Sequence, residues 1–108
     1  MNELSKMLVT MVKEHEGKNF DAILIDDMAY LAGFSFMSQF NSAIIHIHTD
    51  RIMISEPITG KYFCLPINGI KEIHDETASK YDVAFTVHYK NDYKVFIQIF
   101  EPFWNKAK

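Results

Sequence analysis

A chain of 108 residues with 48% hydrophobic and 23% charged side chains has the profile of one folded domain, 1–108, and excludes a disordered tail. Its formal net charge of −3 argues against nucleic-acid binding by phosphate neutralisation, and its lone cysteine, Cys64, excludes a fold held by an internal disulfide. No apolar run reaches membrane-spanning length and the N-terminus does not read as a signal peptide, so a cytoplasmic location without a transmembrane segment is expected.

The first element is a helix over 3–16. Leu4, Met7, Leu8, Met11 and Val12 recur at spacings of three and four and form one apolar stripe, Asn2 is the expected N-cap, and Gly17 the expected stop. From Phe20 the helical period gives way to short alternating segments rich in aromatic and β-branched residues. FDAILID and LAGFSFMSQF read as strands, with DDMAY as a turn or irregular link between them and Asn41-Ser42 as a turn after them. AIIHIHT, RIMISEP, KYFCLP and IKEIHD read as further strands, separated by PITG and ING turns. The clearest hairpin is VAFTVHYK and YKVFIQIF around Asn91-Asp92. The end, EPFWNKAK, reads as a short helical start with Pro102 in its first turn.

One helix followed by closely spaced strands predicts an α+β fold: the helix packed on an antiparallel roll or partly open barrel of about seven strands. The absence of βαβ alternation excludes a nucleotide-binding parallel sheet. The expected core is Leu8, Ile23, Ile25, Phe36, Ile45, Ile47, Ile54, Phe63, Ile70, Ile73, Phe85, Val87, Val95, Ile97 and Ile99.

His46, His48 and Asp50 alternate and would share one face of a straight strand, which is the spacing for the start of a metal site, with His74, Asp75 or His88 to complete it. The apolar phase argues otherwise. It is odd at Ile45 and Ile47 but even at Ile52 and Ile54, so it flips at Thr49-Asp50-Arg51. A strand changes face only through a bulge or turn, so Asp50 is expected at a corner, away from the histidine face. The metal reading through His46 and His48 remains as an alternative. Cys64, between Phe63 and Leu65, reads as a small buried hydrophobe and not as a nucleophile. No GxSxG, P-loop, GxGxxG or CxxC occurs, so no catalytic residue and no cofactor is expected. Lysines 61, 71, 80, 90 and 94 interleave with tyrosines 62, 81, 89 and 93. Such a mixture suits base stacking or headgroup binding, yet it also describes a solvated edge that blocks sheet aggregation, the better reading here.

HTDRIMISEP, GKYFCLPINGIKEIHD and VAFTVHYKNDYKVFIQIFEP together resemble bacterial PH-like and GRAM-like domains over residues 43–108. Thr49-Asp50-Arg51 matches their turn, and Leu65, Pro66, Ile70 and Ile73 match their strand, proline, Ile-x-x-Ile step. The extra N-terminal helix and the very short C-terminal one depart from that pattern. Residues 3–74 also look like an Sm-like small barrel, with Gly33 and Asn41 at its glycine and turn positions and the 83–100 hairpin as an addition.

The PH-like resemblance implies a binding module for lipids or proteins, and the acidic balance favours protein. The expected function is non-enzymatic: a small module acting through protein contacts, of a regulatory or inhibitory kind. The Ile-, Lys- and Asn-rich vocabulary points to a low-GC bacterium or its phage. Phe103 and Trp104 read first as aromatic residues docked on the barrel rim and second as an exposed hot spot, and with Tyr89 and Tyr93 they are the candidate partner-binding residues. A homo-oligomer through an edge strand such as YKVFIQIF is a further expectation. An Sm-like nucleic-acid binder is the alternative function.

Overall fold

The computed structural model describes residues 2–28, 34–77 and 83–100. It contains α1 (Glu3–Lys13), β1 (Phe20–Met28), β2 (Phe34–Ile47), β3 (Arg51–Glu56), β4 (Lys61–Pro66), β5 (Ile70–Asp75), β6 (Val83–Tyr89) and β7 (Lys94–Phe100). Helix α1 begins where its chemistry says it should: the Asn2 side chain accepts the Ser5 N–H at 2.8 Å. Glu3 in the first turn and Lys13 in the last complement the helix dipole. The helix stops at Lys13 instead of Glu16, and successive tight turns carry the chain to Gly17, whose φ of +78° suits glycine. No helix among the described residues is long and apolar enough to cross a membrane.

All seven strands join one antiparallel sheet in the order β4-β3-β2-β1-β7-β6-β5. Apart from β4 and β5, strands that are neighbours in sequence pair antiparallel, and among the described residues the one non-sequential pairing, β1 with β7, welds the two halves. β4 and β5 lie at opposite ends of this sheet, yet only residues 67–69 separate them in the chain. The sheet must therefore curl until its two ends meet at that corner. The Ile67 N–H donates to the Asp50 carbonyl at 3.0 Å, and the Lys90 N–H to the Gly69 carbonyl at 2.9 Å. Helix α1 packs against β5 and β2, with Leu8 and Val12 buried inside the roll. The fold is thus α+β, a helix on a rolled antiparallel sheet.

The apolar phase flip at 49–51 is a hairpin. Ile45 pairs with Ile54 and Ile47 with Ile52, while the His48 N–H donates to the Arg51 carbonyl at 2.8 Å. Asp50 sits in the bend and pairs with Arg51 at 3.0 Å. A second flip lies at Asn41-Ser42, where the sequence predicts a turn between two strands. Instead β2 runs straight through as one bent strand. Ser42 adopts φ +53°, the register with β1 slips between Phe20 and Ala22, and the inward positions shift from Phe40 to Ala43 and Ile45. The chain can bend without breaking the strand because two carboxylates replace the lost ladder bonds. The Asn41 N–H donates to Glu56 at 2.7 Å, and the Ser42 N–H to Asp21 at 3.0 Å.

Several expected positions move. In β1 the buried residues are Ala22 and Leu24, whereas Ile23 and Ile25 lie half-buried on the outer face. Both parities of this strand are apolar, and pairing of Ala22 with Ile99 and Leu24 with Ile97 selects the inward one. Ile47, Phe63 and Ile73 are half-buried against the core, and the other nine expected core residues of described burial are fully inside. Phe36 lies in β2, with its side chain outside the described part. Cys64 is exposed, not buried, because Leu65 takes the inward position of β4 and its neighbour must face out. Asp26, Asp27 and Met28 extend β1 instead of forming a turn. β7 is no edge strand: it pairs with β1 on one side and β6 on the other. That removes YKVFIQIF as an oligomerisation edge.

Candidate functional site

The corner that closes the sheet also builds a concavity. Three residues must reverse the chain between β4 and β5, and Gly69 supplies φ +79° for the purpose. Facing this turn is the β6–β7 hairpin. Its turn closes through Asp92 N–H to the Tyr89 carbonyl at 3.1 Å, with Asp92 at φ +69°. The Asn91 side chain accepts the Tyr93 N–H at 3.1 Å, an Asx turn that completes the reversal. Between turn and hairpin lies a cavity of about 260 Å³, bounded chiefly by Pro66, Asn68, Gly69, Tyr89, Lys90 and Tyr93.

Tyr89 is the floor of this notch. It is buried, and its hydroxyl donates to the Pro66 carbonyl. Burial pushes that hydroxyl well above the ordinary tyrosine range, so it remains a neutral donor at physiological pH. The Tyr93 ring lies 5.7 Å from the Tyr89 ring, tilted by 33°. Ligand cavities typically occupy about 300–1,000 Å³, so this notch is sized for one or two side chains of a partner. Its lining holds no carboxylate, imidazole or thiol. What it offers is aromatic area, a peptide edge and the polar ends of Lys90 and Asn68, which suits recognition.

Tyr89 and Tyr93 are therefore brought together, and Phe103 and Trp104 lie outside the described residues. His46 and His48 are both exposed, but Asp50 is engaged at the corner with Arg51. Three strands, β1, β7 and β6, stand between His46 on β2 and the expected completing residues His74 and Asp75 on β5. His74 and His88 instead meet each other through Glu72, which the sequence did not single out. One Glu72 oxygen lies 3.2 Å from His74 Nε2 and 3.4 Å from His88 Nδ1. Hydrogen bonding from His74, then from His88, holds this carboxyl below the usual carboxylate range. Both imidazoles aim at the same oxygen and not at a shared open point. Among the described residues no group of three His, Cys, Asp or Glu side chains is placed to hold a metal ion. The alternation of Glu72 and His74 along β5, opposite His88 on β6, was the signal for this cluster, but only if the pairing of those strands is known.

Comparison with known proteins finds no family model and no curated protein that matches this chain.

Proposed function

We propose that this chain is a non-enzymatic binding module acting through protein contacts, with the Tyr89–Tyr93 notch as the point of contact. The carrying observation is the fixed tyrosine pair beside the Gly69 turn. Tyrosine supplies large, rigid contact area at low cost in side-chain entropy, and Tyr89 is further immobilised by its bond to Pro66. A small aromatic notch without acidic groups accepts an apolar or aromatic side chain of a partner, with Lys90 and Asn68 placed to bond its main chain. The PH-like reading is kept as part of this proposal. It rests on the resemblance of residues 43–108, and the structure supports only the coarser α+β roll.

Affinity capture from source-cell extract, with the Tyr93→Ser variant as control, tests the reading. A protein retained by the wild type and lost with Tyr93→Ser, at unchanged circular dichroism, is the expected result. Identical retention by both forms overturns the assignment of the notch.

A further inference from the structure

β5 is one end of the sheet, and its residues Lys71, Glu72, His74 and Asp75 are exposed. The Glu76 N–H donates to the Ala84 carbonyl directly across the β5–β6 ladder, at 2.8 Å. Antiparallel ladders alternate bonded and non-bonded pairs, so His74 and Glu72 also turn their peptide groups toward β6. Ile73 and Asp75 then turn theirs outward. Among the described residues no backbone hydrogen bond reaches that outward side between 71 and 75. The bulge between Ile70 and Glu72 and the charged side chains would ordinarily guard such an edge.

These charges, however, follow an order. From Lys71 to Asp75 they read cation, anion, apolar, imidazole, anion. An antiparallel copy turned about Ile73 sets Lys71 opposite Asp75, Glu72 opposite His74, and Ile73 opposite Ile73. A shift of one residue faces outward peptide groups with inward ones and cannot bond. A shift of two sets Glu72 against Glu72 or His74 against His74. Only the Ile73-centred register satisfies backbone and charge together. We propose that β5 is the docking edge for a second copy of this chain, paired antiparallel about Ile73. The notch uses no residue of β5, so the two proposals stand or fall separately.

Sedimentation equilibrium of the wild type, Lys71→Asp, and the exchanged double variant Lys71→Asp/Asp75→Lys tests this, with circular dichroism to confirm folding. Each pair occurs twice across the two-fold axis, so the single reversal should weaken a reversible dimer about tenfold, and the exchange should restore it. A second arm does not depend on charge. Bonded antiparallel pairs place their Cα atoms about 5.5 Å apart, within disulfide reach. In a Cys64→Ser background, Ile73→Cys should therefore form a covalent dimer when diamide oxidises the two thiols. A wild type that stays monomeric at every attainable concentration overturns the proposal. So does a dimer indifferent to Lys71→Asp, or one in which Ile73→Cys fails to cross-link.

Discussion

The Ser5 hydroxyl donates to the Ile67 carbonyl at 2.7 Å, joining the first turn of α1 to the turn that closes the sheet, 62 residues away. Both partners are buried, Ser5 at 0% exposure, so neither has water as a substitute. Ser5→Ala leaves a buried carbonyl without its donor, and should cost about 1–3 kcal/mol of stability. Urea unfolding followed by circular dichroism measures this; an unchanged midpoint would show that the corner holds without the helix.

Glu56 performs a comparable service for the bend in β2. Its carboxylate accepts the Asn41 N–H and, at 2.8 Å, the Thr59 hydroxyl, with Lys61 close by. The Asn41 bond first, then Thr59, lowers its pKa from 4.5. A carboxyl with a depressed folded pKa contributes stability that is present above the unfolded value and lost as pH falls through the folded one. Glu56→Gln should therefore melt a few degrees below wild type at neutral pH. The gap should close as the pH is taken below 4.5. Thermal melts across pH 2–7 read both arms, and a gap that persists in acid would assign Glu56 a role independent of its charge.

Tyr89 titrates in the opposite sense. Its raised pKa means that the stabilisation is present below the ordinary tyrosine value of 10.0 and lost as pH rises above it. Ultraviolet titration should show one tyrosine that ionises only with alkaline unfolding, and that silent group should be missing in Tyr89→Phe. The same variant orphans the Pro66 carbonyl and should lose about 1–2 kcal/mol in urea unfolding.

Strand order sets local stability. β1 and β7 are paired on both sides, whereas β4 and β5 end the sheet. Amide exchange should be slowest in Leu24 and Ile97, and at least about tenfold faster at the outward amides of β4 and β5. Exchange that is uniform across the sheet would argue against this order.

Much of the strand succession was legible because each hairpin is local. Ile45, Ile47, Ile52 and Ile54 carry their phase flip in the sequence itself, and that flip marks the corner at Asp50. The notch was only half legible. Tyr89 and Tyr93 stand four residues apart around a turn, but Pro66 and Gly69 reach them only because the sheet rolls.

The sequence by itself determined the capped helix, the hairpin turns at Asp50 and at Asn91-Asp92, and the chemical make-up of each strand, because capping, alternation and turn chemistry act within a few residues. Tertiary structure decided that Ala22 and Leu24, not Ile23 and Ile25, face inward, that Cys64 faces out, and that β2 bends at Ser42 instead of ending. It also decided that β5, not β7, is an edge. These choices follow from pairing register and from acceptors supplied by distant carboxylates. A strand with apolar residues on both parities carries no local preference for either face until its neighbours choose one.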